Sequence, residues 1–461
     1  MNLPELHRTA REIFNEALLS VDSGGAVRRA VQIEDGHLKI LDTTFNLEEL
    51  RAGIYSIAIG KAAHPMASAL AEILGNHLTA LVESGVWSRE SGVKDKNSSW
   101  LRTLDSRLQT PDSWLVFAGG HPLPNLESLE AARAAFDLLR RAERVRALLI
   151  FLISGGGSAM MEWPRNESVT LEELQETNRV LVSCGASIAE INAVRRAISA
   201  VKGGGLARRA PHCNQVSLII SDTGAGEEVA VASGPTFEHT VNSPDLASVI
   251  ARYDLESRLP ASILRAIKQP VEKRSSGSHS ILREHYVLLE NSTALESAAE
   301  AARSRGFTVE IARDAVEQPV DEGCSLLLYR LFDLRRRTDK DQTVCLISGG
   351  EFACPVRGRG FGGRNAESAL RWAIELDEQA KSEESHAVAL SAGTDGIDGN
   401  SPAAGAVADE TSVERARLLK MDAQRFLDES DAYTFFQQLN DAIVTGPTGT
   451  NVRDLRIMLA S

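Results

Sequence analysis

Cysteine is scarce in this chain: five in 461 residues, at 184, 213, 324, 345 and 354, with no CxxC pair. That argues against a disulfide framework and a structural zinc site, and makes the reducing cytoplasm the expected location. Aromatic residues make up 5% against 43% apolar overall, so the core is expected to be built from Ala, Leu, Val and Ile. No apolar run approaches a membrane span, and residues 1–22 carry charges throughout instead of a signal-peptide apolar stretch. Positive charge is in deficit, with 50 Lys and Arg against 63 Asp and Glu for a net −13. This disfavours nucleic acid and anionic membranes as partners, while leaving room for a local cationic site for a small anion. Three catalytic signatures are also wanting. There is no Walker A pattern. Gly156-Gly-Ser-Ala-Met160 lacks the last glycine of a nucleophile elbow, so Ser154, Ser158, Ser391 and Thr394 gain no support as nucleophiles. Gly358-Arg-Gly-Phe-Gly-Gly363 spells G-x-G-x-x-G but follows a proline-containing segment, without an acidic strand end at the right distance beyond it. It reads only weakly as a dinucleotide site.

What is present is organised around residues 147–161. The unbroken apolar run 147–153 reads as a strand buried on both faces, followed by Ser154, three glycines and Ser158. Glycines there let backbone N–H groups turn toward a phosphate or carboxylate, and Ser158 can open a helix whose N-terminus favours an anion; a plain tight turn is the alternative. Apolar strands ending at 59, 117, 153, 220, 347, 390 and 445 are each followed by Gly with Ser, Thr, Asp, Lys or His. Open α/β sheets bind ligands beyond the carboxyl ends of their strands. Amphipathic helices are expected over 4–20, 128–144, 170–181, 187–199, 293–305, 324–337 and 364–376, and residues 88–113 look like a polar surface insertion. Strand–loop–helix order throughout predicts two doubly wound α/β domains, 1–240 and 241–461, with the active site in the cleft between them. The architecture repeats, but no clear internal sequence repeat accompanies it.

Several loop residues carry chemistry. Lys61, among the small residues Gly60, Ala62 and Ala63, follows a strand and opens a helix, where an ammonium can reach a phosphate oxygen. Asp222 ends a buried strand and suits a general base, a metal ligand or a loop cap. Thr394, Asp395 and Asp398 lie in a glycine-punctuated loop; two carboxylates so close suit Mg²⁺ or an Asx turn. Arg364 stands at a helix start, where a cation opposes the dipole, and a bidentate grip on phosphate or carboxylate would explain it. His64 and His121 each precede proline and read as loop-packing residues.

Taken together, the loops resemble the glycerate 2-kinases with a C-terminal MOFRL domain. The resemblance is carried by Ala58-Ile-Gly-Lys-Ala62, Gly120-His-Pro-Leu-Pro124, Ser154-Gly-Gly-Gly-Ser-Ala159, Glu190-Ile-Asn-Ala-Val-Arg195, Val201-Lys-Gly-Gly204, Ser221-Asp222 and Ala232-Ser-Gly-Pro-Thr236. In the second half it is carried by Ser348-Gly-Gly-Glu351, Gly362-Gly-Arg-Asn365, Ala392-Gly-Thr-Asp-Gly-Ile-Asp-Gly399 and Thr445-Gly-Pro-Thr-Gly-Thr-Asn-Val452. It implies ATP- and Mg²⁺-dependent phosphorylation of D-glycerate to 2-phosphoglycerate, with Lys61, Asp222 and Arg364 as catalytic positions. The expected phosphate and substrate contacts are Ser154, Gly155, Gly156, Gly157, Ser158, Gly349, Gly350, Glu351, Thr394 and Asn451, with Arg195 and Lys202 for the glycerate carboxylate or for helix packing. Asp395, Asp398 and Glu227 are the expected metal ligands. Two departures stand out: an acidic position of the family is Gly226 here, with Glu227 as its substitute, and Phe352-Ala353 replace hydroxyl residues. A homodimer is an allowed assembly. The competing readings are a hydroxypyruvate reductase, a kinase of another small hydroxy acid, and a non-catalytic ligand-binding protein.

Overall fold

The computed structural model describes residues 1–85, 113–224, 226–237, 244–269, 281–379 and 386–461. The expected surface insertion at 88–113 lies, apart from Ser113, outside the described residues, as does the polar stretch 273–280. The chain forms two compact units, Ser23–Leu288 and a discontinuous one made of Met1–Asp22 with Leu289–Ser461. The boundary expected at 240/241 is corrected at both ends. Helix Leu3–Ser20, capped by Asn2, lays Leu6, Ala10, Ile13, Phe14 and Ala17 against Leu295, Ala298, Leu390 and Ile457 of the second unit. Helices Leu246–Arg252 and Ala261–Lys268 bury Val249, Ile263 and Ala266 with Leu174, Leu181, Val194 and Ile198 of the first. Strand Arg283–Leu289, expected to begin the second domain, lies at the edge of the first unit's sheet.

That sheet has six strands in the order Ser113–Ala118, Leu78–Gly85, Ile54–Ile59, Leu148–Ser154, Gln215–Ile220 and Arg283–Leu289. The first five pair parallel. Leu148–Ser154 is buried at every position, as the apolar run predicts. Tyr55, Ile57, Ile59, Leu149, Phe151 and Ile153 face Ala131, Ala135, Leu138 and Leu139 of helix Leu126–Val145, and the alternate residues are buried on the other face. The chain moves outward from Ile54–Ile59 to one edge, then returns to place Leu148–Ser154 on its other side. The order reverses between these two strands, which makes the crevice beyond their carboxyl ends the ligand position of an open α/β sheet. A separate antiparallel meander, Val31–Glu34, His37–Ile40 and Thr43–Asn46, was not expected. Its first hairpin turns on Asp35 and Gly36, both at positive φ (49° and 75°).

The second unit's sheet runs Thr308–Ala312, Val344–Gly350, Asp454–Ala460, Ala387–Gly393, Gly405–Asp409 and Ala442–Ile443. It is mixed rather than parallel. Only the first pair is parallel, and Asp454–Ala460 runs antiparallel to both of its neighbours. Cys345, Ile347, Val388, Leu390, Ile457 and Leu459 face helices Leu3–Ser20 and Asn291–Ser304. Val344, Leu346, Ala389 and Met458 face Val320–Arg337 and Trp372 of Arg364–Gln379. The final strand expected at 442–445 is a two-residue edge piece; the true last strand is central.

Candidate active site

In the first unit the loops after the two strands at the reversal interlock. Lys61 N donates to Gly155 O (2.9 Å), and Ala62 N donates to Ser154 Oγ (2.9 Å), which itself donates to Ile59 O (3.3 Å). Ser154 is fully buried, so its hydroxyl fastens the two loops together and does not face a ligand. Gly60 stands at φ +114°, and a Cβ there would sit 2.4 Å from Ser154 O, so only glycine fits. A side chain at Gly156 would lie 3.3 Å from Lys61 Cγ and 3.1 Å from His121 Cδ2. The lysine stem therefore lies over the glycine loop, beside His121. The helix expected at Ser158 is a single turn, Gly157–Met160, so the cradle has N–H donors but almost no macrodipole. Ser158 Oγ bonds Ser233 Oγ (2.9 Å), which donates to Asn192 Oδ1 (2.8 Å). Ala232 and Ser233 both hold positive φ (51° and 60°), a strain typical of functional loops.

Three further expected positions lie in this unit. Arg195 Nε donates to Asn178 Oδ1 (2.9 Å), and Lys202, 1% exposed, is ion-paired with buried Glu162. Lys202 is thus taken up inside the fold, since unpairing it would strand a buried carboxylate. Its loop is laced to the next one: Gly203 N donates to Ser233 O (3.1 Å) and Gly204 N to Gly234 O (2.7 Å). Asp222, half-buried, follows strand Gln215–Ile220. Glu227 is exposed and folds back over Gly224, whose Cβ would sit 3.2 Å from Glu227 Oε2.

In the second unit the missed strand assembles the site. Asp454 pairs with Gly350 on one side and Gly393 on the other, joining the Ser348-Gly-Gly-Glu and Ala392-Gly-Thr-Asp segments. Arg364 Nε donates to Asp454 Oδ2 (2.6 Å), Nη2 donates to Asp454 Oδ1 (3.1 Å), and Nη2 is 2.8 Å from Glu351 Oε1. These carboxylates explain the cation at the helix start and push the guanidinium's pKa further up despite burial. Buried Arg456 lies 3.6 Å from Asp454 and over the Phe352 ring. Asn291 Oδ1 accepts from Gly350 N (3.0 Å), and its Nδ2 donates to Val452 O (2.6 Å). Thr394 Oγ1 donates to Arg453 O (2.7 Å) and accepts from Val452 N (2.9 Å), which fastens the loop bearing Asn451.

Asp398 is corrected from metal ligand to helix cap. Its Oδ2 accepts from Gly363 N (3.0 Å) and Ala366 N (2.8 Å), and its Oδ1 from Asn365 N (3.0 Å). Both oxygens close the N-terminus of Arg364–Gln379. Burial pushes its carboxyl up to about 6, against the pull of those N–H groups. Asp395, half-buried, accepts from Ile397 N (3.1 Å). Among the described residues no three His, Cys, Asp or Glu side chains are grouped to hold a metal. Asp398→Ala is accordingly expected to cost about 0.5–2 kcal/mol of stability by denaturant unfolding.

The glycine run 358–363 is not a phosphate cradle. Gly360 N donates to Glu429 O (3.0 Å), Phe361 N to Asp431 Oδ1 (2.8 Å), Gly362 N to Asn400 Oδ1 (2.8 Å) and Gly363 N to Asp398. The N–H groups a dinucleotide would need are engaged.

Fold and site together define a two-unit α/β protein with glycine-rich loops gathered at the ends of its strands. Residues 9–268 match the family described as a domain of unknown function (DUF4147), and residues 344–454 match the MOFRL family. A glycerate kinase from Rattus norvegicus is 33% identical, over 98% of this chain and 93% of its own. A solved glycerate kinase from Thermotoga maritima superposes with TM-score 0.76 at 29% identity, covering 99% of this chain and all of that one (100%). A putative hydroxypyruvate reductase from Agrobacterium vitis is 35% identical over a smaller share, 75% of this chain and 77% of its own. The chain belongs to the glycerate kinase family.

Proposed function

We propose that the protein is a glycerate 2-kinase, transferring the γ-phosphoryl group of ATP to the C2 hydroxyl of D-glycerate. The observation that carries this reading is the placement of Lys61 over the Gly155–Gly157 turn at the strand reversal. Phosphoryl transfer asks for positioning and charge neutralisation more than covalent chemistry. The Lys61 ammonium and the turn's N–H groups stabilise charge on the phosphates, and Ser158, Ser233 and Asn192 brace that turn. Asp222 accepts or orients the proton of the attacking hydroxyl. Arg364, held by Asp454 and Glu351 with a third of its side chain exposed, presents its remaining edge to an anion. Arg195, rather than the internally paired Lys202, is the remaining candidate in the first unit for the glycerate carboxylate. Asp395 in the second unit and Glu227 in the first are each a candidate Mg²⁺ ligand; a magnesium ion bound with ATP would neutralise phosphate charge.

The test is an ADP-release assay with MgATP and a panel of small hydroxy acids. D-Glycerate should support turnover and yield 2-phosphoglycerate rather than the 3-phospho isomer; no glycerate-dependent ADP would refute the reading. The name borne by the Agrobacterium vitis relative supports one second reading, a hydroxypyruvate reductase. NADH absorbance with hydroxypyruvate is expected to stay flat, because the glycine run at 358–363 has its N–H groups bonded within the protein.

A further inference from the structure

The hydrogen-bond chain behind the glycine turn has a direction. A serine hydroxyl carries one hydrogen and two lone pairs, and an amide oxygen only accepts. Ser233 Oγ gives its hydrogen to Asn192 Oδ1 (2.8 Å). In the 2.9 Å bond between Ser158 Oγ and Ser233 Oγ, Ser158 is therefore the donor. Its own hydrogen is used, and its oxygen keeps lone pairs alone. Ser233 and Asn192 are 1% and 3% exposed, and a hydroxyl hydrogen without an acceptor is costly there, which holds the chain in this direction. Ser158 is partly exposed and directly follows Gly155–Gly157. A Cβ at Gly157 would sit 2.9 Å from Ala232 Cβ, so the turn is seated against the segment that carries Ser233. Backbone N–H groups of the turn suit an anion. The Ser158 oxygen does not, because its lone pairs would face those of a phosphate or carboxylate; it suits a donor.

We propose that Ser158 Oγ accepts a hydrogen bond from a neutral hydroxyl of the hydroxy-acid substrate, and so selects glycerate over analogues that lack that hydroxyl. This rests on the kinase reading of the same loop, and it replaces the phosphate contact expected of Ser158 by a substrate contact. Ser233 and Asn192 are positioning residues, which act by fixing the way the Ser158 hydroxyl points. A site arranged to hydrogen-bond a substrate hydroxyl disfavours the analogue without it, because the protein atom then stays unpaired.

The experiment uses the full chain with D-glycerate, with D-lactate, which lacks the C3 hydroxyl, and with 3-hydroxypropionate, which lacks the C2 hydroxyl. All are monoanions of similar size, so a change of fold or charge moves them together. Affinities come from KM, from competitive inhibition of glycerate-dependent turnover, and from calorimetry without turnover; inorganic pyrophosphate probes the anion cradle. Ser158→Ala is expected to lower the preference for glycerate over one analogue by roughly threefold to tenfold, the range of a single hydrogen bond, with pyrophosphate affinity unchanged. A fall against D-lactate assigns the contact to the C3 hydroxyl, and a fall against 3-hydroxypropionate assigns it to the C2 hydroxyl. Asn192→Asp keeps the acceptor for Ser233 and should keep the preference. Asn192→Leu and Ser233→Ala break the chain and free the Ser158 hydrogen. They should lower the preference while pyrophosphate affinity holds or rises, which a merely structural role would not produce; thermal melts accompany each variant. If Ser158→Ala weakens pyrophosphate, or leaves both preferences as in wild type, the proposal is overturned and the kinase reading is untouched. If no hydroxy acid supports ADP release yet glycerate binds with a Ser158-dependent preference, the kinase reading falls and the hydroxyl contact stands.

Discussion

Lys61→Ala is expected to lower glycerate-dependent ADP release by about 10²- to 10³-fold while the protein melts at its usual temperature. The two halves of this expectation have separate causes. The local fold is fixed by backbone: Lys61 N to Gly155 O at 2.9 Å, Ala62 N to Ser154 Oγ at 2.9 Å, and the positive φ of Gly60. Alanine keeps all three, and residue 61 lies before the N-cap of helix Ala63–Leu74, so the helix itself is untouched. What it removes is the ammonium of a side chain whose stem lies against Gly156 where the strand order reverses. If the lysine serves the transition state, kcat falls together with kcat/KM; if it only holds ATP, KM for ATP rises and kcat is kept. Steady-state kinetics beside a thermal melt separate these outcomes. Activity within threefold of wild type, with the fold intact, would remove Lys61 from the mechanism.

The first unit was largely legible in the sequence because its information is local. Strands at 54–59, 148–154 and 215–220 are largely apolar runs followed within a few residues by glycine, and their burial on both faces follows from that composition. The capping box at Thr170 and Glu173 starts its helix where the pattern places it. The missed hairpin at Asp35-Gly36 did carry a signal, the two-residue turn, but its four-residue strands are too short for periodicity to register. The second unit hid its central strand for a more informative reason. Asp454-Leu-Arg-Ile-Met-Leu-Ala460 is buried at every position, yet two charges break its apolar pattern. Those charges bind Arg364 and Gly349, so the residues that obscure the strand are the ones that build the site. Glu83, buried within Leu78–Gly85, likewise breaks an apolar pattern. The contact of His64 with Glu83 is not legible in the sequence, because the carboxylate lies 19 residues away. Domain assignment failed at residues 1–22 because an amphipathic helix announces that it has an apolar face, not which sheet receives it.

The largest stability effect is expected at Asp454, a residue with no place in the resemblance. It is 1% exposed and lies between the guanidinium groups of Arg364 and Arg456. Burial alone would push its carboxyl up; the charge of Arg364 and its hydrogen bonds outweigh that and hold it below the ordinary carboxylate value. Burial in turn pulls Arg456 down to about 10, still well above neutral pH, so both arginines stay charged. Asp454→Ala leaves Arg456 buried without its counter-charge, and removing one partner of a buried ionic group costs about 3–5 kcal/mol. Asp454→Asn keeps the shape and the bond to Asn365 but not the charge, and should cost less. The unit containing Trp372, the one tryptophan outside Ser23–Leu288, carries the effect, so hydrogen exchange in Arg364–Gln379 and Asp454–Ala460 should accelerate while Leu148–Ser154 stays protected. The pH dependence has a definite sign. A depressed carboxylate contributes its full stability above the ordinary value near 3.8 and loses it as pH falls through the lower folded value. The gap between wild type and Asp454→Asn should therefore be constant from pH 5 to 8 and close only in strong acid. A gap that instead narrowed between pH 6 and 8 would mean that the ion pair is not what holds Arg364 in place.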